Sequence, residues 1–497
     1  MKMKDTFAAA ILTAVLCISG NLLAYSGGNG TVIRPYQIAN VDDFLQLSTT
    51  PTDWNLSFIL TANIKLSSLT FTQSPIAPDT DNAASGFQGT KFTGVFDGNG
   101  CVLGSLTINA PAKDHIGLFG CTNNATIRNL RVGNVDITGQ NWVGGLVGLV
   151  SDNTGSLAAC GVTGSVSGVN YVGGLVGFNS ACPFTTCYAT SSVTGAGSYV
   201  GGLIGENFSG SMTDCYATGS VSVAGYDAGG LVGLNRGLLT SCYATGLVSG
   251  SFYVGGLVGY NDAAAITNCH ATGTIEGTGD TVGGLVGCND QGSIIRCYAA
   301  GSVSGINDVG GLTGMNESGM LTGCYAAGSV SGAVNVGGLT GENYSDSTVT
   351  FCYATGSVSG TSYVGGLVGE NYTSGSVTAC YAAGPVSGTT SNVGGLTGGN
   401  YSSSHAACFW DTQTSGQIVG VGYGDTEGAF GKTTAEMKTL STFTAEGWDF
   451  INVWAIGEHQ TYPYLQTRPS ADLNYDGAVN LLDFALFAEH WLQGAGA

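Results

Sequence analysis

Positive charge is scarce in this sequence: 13 lysines and arginines stand against 33 aspartates and glutamates, a formal net charge of −20. That balance excludes nucleic acid and anionic membrane as partners, because no basic surface is available to neutralise phosphate. Between Val143 and Asn400 the basic side chains are His270, Arg236 and Arg296 alone. Catalytic signatures are missing as well. The five histidines (His115, His270, His405, His459, His490) form no HExxH, which excludes the common peptidase zinc site. No GxSxG elbow sits between a strand and a helix, and no CxxC pair points to structural zinc. No segment after residue 24 is apolar for long enough to span a bilayer. The middle of the chain has no 3.6-residue apolar period, which excludes helical repeats.

What the sequence has instead is glycine, 83 residues of it, at fixed phase. A hydrophobic residue, Gly-Gly-Leu, a β-branched residue, Gly, any residue and Asn recur ten times. The Gly-Gly pairs begin at Gly144, Gly173, Gly201, Gly229, Gly255, Gly283, Gly310, Gly337, Gly365 and Gly394. A period of about 28 residues marks stacked repeats, each too small to bury a core without its neighbours. The stretch Cys297 to Asn316 reads as three short β-compatible pieces, around Cys-Tyr-Ala, Ser-Val-Ser and Gly-Leu-Thr, separated by glycine. Ten coils about 4.8 Å apart would make a rod roughly 50 Å long.

Three columns repeat with the coils. Cys160, Cys187, Cys215, Cys242, Cys269, Cys297, Cys324, Cys352, Cys380 and Cys408 form the first. Residues such as Asp214, Asn268 and Arg296 precede the cysteine, so that neighbouring face is wet, the cysteine points inward and the following residue outward. Stacked coils hold column members further apart than a disulfide tolerates, so the column is expected to be reduced, buried thiol. Cys101, Cys121, Cys182 and Cys288 lie off it. The second column runs from Asn179 to Asn400 through Asn207, Asn235, Asn261, Asn289, Asn316, Asn343 and Asn371, with Val150 in the first repeat. Stacked amides suit a corner ladder of hydrogen bonds along the axis. The third is Tyr188, Tyr216, Tyr243, Tyr298, Tyr325, Tyr353 and Tyr381, with His270 among them. It is either a self-stacked ladder or a wet, glycan-facing surface, and recognition is expected on that side.

The first 24 residues read as an export signal: Lys2 and Lys4, an apolar run from Phe7 to Ile18, and a cleavage site near Ala24. The expected product is secreted or held at the cell surface, without a transmembrane anchor. The expected order is signal 1–24, N-terminal cap and leading coils 25–142, ten repeats over 143–408, a closing cap 409–467 and a small module 468–493.

The GGLVG-x-N core with its CYATGSVSG companion resembles the GLUG motif of bacterial extracellular proteins. The segments from Phe92 to Gly100 and from Ile116 to Gly120 resemble the leading coils that precede such repeats. The resemblance implies an all-β fold, a right-handed parallel β-helix, and an association with surface adhesins and some large secreted peptidases.

One segment carries recognisable metal chemistry. Asp472, Asn474, Asp476, Ala478 (through its carbonyl), Asn480 and Asp483 occupy the ligand positions of a twelve-residue calcium loop, with Gly477 at the turn. Calcium is the expected cofactor. Phe484, Phe487, Ala488 and Trp491 follow at helical spacing. Loop and helix together resemble one half of a type I dockerin, a family that normally has two such halves. The resemblance implies a cohesin-like or surface-anchored protein as a partner and a link to polysaccharide degradation.

Two functions remain open: an adhesive or structural display rod, or a glycan-binding or polysaccharide-degrading component of an extracellular catabolic system. An enzyme of this architecture would be a glycoside hydrolase or polysaccharide lyase, with clustered carboxylates or basic residues at one place. Asp97, Asp114 and His115 are the acid/base candidates, although Asp97 sits in a Gly-Asn turn that already accounts for it. The regular repeat argues against catalysis.

Overall fold

The structure, a computed structural model, describes residues 25–151, 154–389 and 392–466. The export segment 1–24, the calcium-loop residues Asp472, Asn474, Asp476, Ala478, Asn480 and Asp483, and the stripe from Phe484 to Trp491 lie outside the described residues.

The chain winds into a parallel β-solenoid. Strands of successive coils pair in register, as in Tyr298 with Tyr325, Val309 with Val336, Asn316 with Asn343 and Leu321 with Val349. The pairings build long parallel sheets of 14, 12 and 10 strands, with further columns of strands closing the coil. One coil contains five strands, Tyr298–Ala299, Val303–Ser304, Asn307–Gly310, Thr313–Glu317 and Met320–Thr322. The three pieces read from sequence therefore become five. Arg296 at φ 53° and Asp308 at φ 49° place left-handed residues beside or inside the strands. Each such residue breaks the period-two alternation by which a strand is recognised.

The paired glycines follow from coil spacing. A Cβ on Gly283 would lie 1.9 Å from the Val286 carbonyl oxygen, and one on Gly284 would lie 2.0 Å from that of Gly311. The first contact lies within the turn of one coil and the second between successive coils, and at both only hydrogen fits.

The interior is made of columns. Val309, Leu312, Leu321, Cys324 and Ala326 are fully buried in one coil, and their counterparts repeat above and below. The ten cysteines of the column, Cys160 through Cys408, are all unbridged thiols. The thiols also serve the backbone. The amide N–H groups of Cys269, Cys297 and Cys352 donate to the sulfurs of Cys297, Cys324 and Cys380 at 3.3, 3.4 and 3.2 Å. The same sulfurs donate to carbonyls two residues earlier, as in Cys324 to Thr322 at 3.4 Å. Burial pushes the Cys297 and Cys380 thiols up, so they stay protonated.

The asparagine column is a continuous hydrogen-bonded ladder. Each amide nitrogen donates to the oxygen of the next coil's asparagine, from Asn179 to Asn207 (2.9 Å) through Asn289 to Asn316 (2.8 Å) to Asn371 to Asn400 (3.0 Å). Within a coil the same nitrogen donates to a corner carbonyl, as from Asn289 to Gly292 at 3.0 Å. A buried amide with these partners is satisfied where a leucine would leave the corner carbonyl orphaned.

Both ends are covered. At the start, the helix Val41–Thr49 is capped by the Asn40 side chain, and its Phe44 and Leu47 are fully buried. At the finish, Phe409, Met437, Phe443, Trp448 and Trp454 form a separate buried cluster over the last coils. Open strand edges would otherwise invite association. Among the described residues, no helix is long and apolar enough to cross a membrane.

Candidate functional site

The tyrosine column turns its ring faces away from solvent. From Tyr188 through Tyr216, Tyr243, His270, Tyr298, Tyr325 and Tyr353 to Tyr381, successive centroids lie 4.8–5.2 Å apart at interplanar angles of 2–9°. Each ring covers its neighbour, because coil spacing and ring-stacking distance nearly coincide. The ends are covered too. Tyr188 packs over Gly161, and Tyr381 is 1% exposed, with its hydroxyl donating to the Pro463 carbonyl at 2.6 Å. Only ring edges and hydroxyls of the other tyrosines reach solvent. A sugar cannot lie against a ring face on this column, and Tyr381 is sealed under the C-terminal cap.

The chemically varied surface is elsewhere. Two residues before nine of the ten Gly-Gly pairs, the chain places Trp142, Tyr171, Tyr199, Asp227, Tyr253, Thr281, Asp308, Asn335 and Tyr363, all at positive φ. The position before the ladder asparagines holds Phe178, Glu206, Leu234, Tyr260, Cys288, Met315, Glu342, Glu370 and, before Asn400, Gly399. The two columns face each other: Tyr171 meets Phe178 and Tyr253 meets Tyr260 edge to face. Together they form one mixed face along the rod, here termed the furrow. Sequence reading missed it because it searched for repetition. The usable signal was an aromatic or Asx residue two places before Gly-Gly.

At the N-terminal end of the furrow His115, Trp142, Tyr171 and Tyr199 form a second stack, with centroids 4.7, 5.4 and 4.9 Å apart. The stack stops at Asp227, which occupies the next place in register before Tyr253. Asp227 is 7% exposed, and its carboxyl makes no hydrogen bond or ion pair among the described residues. Burial first, then the nearby Glu206, pushes its pKa up to about 7, with Arg236 pulling the other way. Arg236 bridges Glu206 at 2.5 Å and Asp262 at 2.7 Å, and its guanidinium lies 5.7 Å over the Phe208 ring. Burial still raises Glu206, outweighing the guanidinium.

The second acidic stretch lies further along. Burial, then Asp308, Glu370 and Glu317, pushes Glu342 up to about 7. Asp308 is raised by burial while accepting a 2.9 Å hydrogen bond from the Asn335 amide. Tyr260 donates to Asp290 at 2.8 Å. Among the described residues, no three His, Cys, Asp or Glu side chains converge to hold a metal ion.

The acid/base candidates are separated by their partners. Asp97 accepts from Asn99, Arg128 and Asn129, which lowers its pKa and fixes the turn. Asp114 accepts from the backbone and side chain of Asn141. His115 is buried against Trp142 with Nδ1 2.7 Å from Asp79; burial lowers its pKa despite that carboxylate.

Comparison with known proteins agrees with the repeat. The family model of the GLUG motif matches residues 196–222, 250–276, 278–304 and 360–387. Halomucin of Haloquadratum walsbyi (strain DSM 16790 / HBSQ001) is 34% identical over 148 residues, 28% of this chain and 2% of that protein. The chain thus spans a small fraction of that relative's length. A solved structure from Bacteroides ovatus, provisionally named an immunoglobulin A1 protease, aligns over 89% of this chain and 95% of its own at 17% identity. Its TM-score of 0.23 is too low to bear on fold or activity. The chain carries GLUG-motif repeats within a parallel β-solenoid.

Proposed function

We propose that this chain is an extracellular adhesive rod whose contact surface is the aromatic and acidic furrow, held in place through its calcium-loop segment. The observation that carries this reading is the division of labour within one coil. The glycine, cysteine, asparagine and tyrosine columns each repeat one residue against itself, whereas the furrow changes residue from coil to coil, with rings and acids recurring among other side chains. A surface free to vary on a fixed frame is what a binding rod presents. The segment from Asp472 to Asp483 would hold Ca2+ through five oxygen side chains and the Ala478 carbonyl, and the apolar residues Phe484, Phe487, Ala488 and Trp491 would dock a cohesin-like or surface-anchored protein.

Beads coated with the chain test the reading on envelope material from cells that export it. Tyr171→Ser with Tyr199→Ser should abolish adhesion, and Tyr298→Ser with Tyr325→Ser should leave it intact. Equal loss from both pairs would overturn the furrow assignment. Display should be lost on chelation and in Asp476→Ala; display indifferent to both would remove the calcium tail from the account. A second reading, polysaccharide cleavage, draws on Asp227, a carboxyl raised in pKa beside an arginine-paired Glu206. Release of reducing or unsaturated ends that disappears in Asp227→Asn would establish it.

A further inference from the structure

Arg236 shows how this furrow holds a positive charge. Its guanidinium sits between the carboxylates of Glu206 and Asp262 and over the Phe208 ring. Two carboxylates and a ring face are a standard way to hold a cation. Arg236 is also one of only two arginines, with no lysine, between Val143 and Asn400.

The same components recur next to it without a cation from the protein. Asp227 lies in register between Tyr199 and Tyr253, taking one place in an aromatic column. The two tyrosines stand two coil spacings apart, about 10 Å, which is the room of one ring in that column. Tyr226 and Phe252, stacked 5.2 Å apart and both exposed, form an apolar wall alongside. Asp227 is 7% exposed, its carboxyl makes no hydrogen bond among the described residues, and the nearby Arg236 is already paired with Glu206 and Asp262. An unpaired buried carboxyl is costly, and a matching ammonium would remove that cost. Further along the rod Asp290, Asp308, Glu317, Glu342 and Glu370 continue the acidic lining with no basic residue of the furrow beside them. Glu342 is raised by burial first and then by Asp308, Glu370 and Glu317, so charge of the opposite sign is favoured beside them.

The shape of the partner follows from the frame. The furrow is straight and its chemistry is spaced by the coil repeat, which suits an extended polymer. It is lined by side chains, because the backbone groups of each coil already pair with the coils above and below. A peptide lying along the axis would find no sheet edge to join and would leave its own amides unpaired. A polysaccharide carries its hydrogen-bonding groups on its ring substituents and offers apolar ring faces to tyrosine. Resting on the adhesive reading, we infer that the furrow binds an extended amine-bearing polysaccharide, with one ammonium held by Asp227 between Tyr199 and Tyr253.

Calorimetry on the intact chain tests this with glucosamine oligomers, N-acetylated oligomers of the same length, and oligolysine of matched charge, at about pH 7, where amines carry charge and the raised carboxyls of Asp227 and Glu342 begin to ionise. The glucosamine oligomer should bind, and both others should bind at least about tenfold more weakly. Asp227→Asn should weaken glucosamine binding about tenfold, and Glu342→Gln with Glu370→Gln by a similar factor with a shallower salt dependence. Glu427→Gln, an exposed acid outside the furrow, should bind as the parent does. Circular dichroism of each variant separates lost binding from lost fold. Equal binding of the acetylated oligomer, equal binding of oligolysine, or indifference to Asp227→Asn overturns the inference. If coated beads still adhere but glucosamine oligomers do not compete, the adhesive reading stands and the amine partner falls. If the beads never adhere, the underlying reading fails.

Discussion

The tyrosine ladder and the furrow are both columns of aromatic residues on the same coils, yet they do opposite things. In the ladder every position from Tyr188 to Tyr381 but one is tyrosine, and neighbouring faces close on each other at 4.8–5.2 Å. In the furrow the stack of His115, Trp142, Tyr171 and Tyr199 is interrupted by Asp227, and Tyr253, Thr281, Asp308, Asn335 and Tyr363 follow it in the same column. Repetition consumes surface: once a ring repeats at the coil spacing, its faces belong to its neighbours. Interruption exposes it.

The comparison can be broken most severely at the frame that both columns share. Gly284→Ala forces a Cβ to 2.0 Å from the Gly311 carbonyl, with no flexible side chain to yield. A loss of about 4 kcal/mol or more is expected, seen as proteolytic cutting near the altered coil. Unchanged protease resistance would mean that the coil contact is looser than drawn. Asn289→Ala comes next. It removes hydrogen bonds to Asn316 and Gly292 and one of the two made by the Asn261 amide, leaving the Asn316 oxygen without its donor, which should cost about 3 kcal/mol and lower Tm by several degrees. An ordinary surface-like loss of less than about 0.5 kcal/mol would show that water replaces the ladder.

A pH series sharpens the contrast without altering the frame. Asp227 and Glu342 have folded-state pKa values raised to about 7 from 3.8 and 4.5. Folding therefore favours their protonated forms. The unfolded chain releases these protons first as pH rises, so stability declines between about pH 4 and pH 7 and levels off above. Tm should be several degrees higher at about pH 5 than at pH 8 on this account, and Asp227→Asn with Glu342→Gln should flatten the dependence. A slope untouched by that pair would place the titration elsewhere. The smallest effect belongs to the ladder face: Tyr298→Ser should cost about 1 kcal/mol by removing two ring contacts, with glycan binding unchanged.

Much of the fold was legible because it was written in repeated letters. Gly-Gly, the inward cysteine and the ladder asparagine each serve one packing requirement that recurs in every coil, so period and phase identify them. The two additional strands per coil were hidden by left-handed residues such as Arg296 and Asp308, which interrupt alternation where the strand needs it. The thiol's role as acceptor for the next backbone amide left no trace in residue type, since a small hydrophobe would occupy the same column. The furrow was illegible for a different reason. Trp142, Asp227 and Asn335 share a backbone conformation and a surface but no side-chain chemistry, and only the fold reveals that they are neighbours. The self-covering of the tyrosines could have been anticipated, because a column at the coil spacing leaves no gap for another ring.

The asparagine ladder has a direction. Each amide gives its proton toward the C-terminal end and receives one from the N-terminal side, from Asn179 to Asn400, where the last nitrogen meets the Asp425 carbonyl. A coil copied into the middle of such a series finds a donor on one side and an acceptor on the other. A coil removed leaves two ends that fit each other. The rod can therefore be lengthened or shortened by whole units without redesigning an interface, so reach is a quantity that gene duplication can set independently of what the furrow recognises.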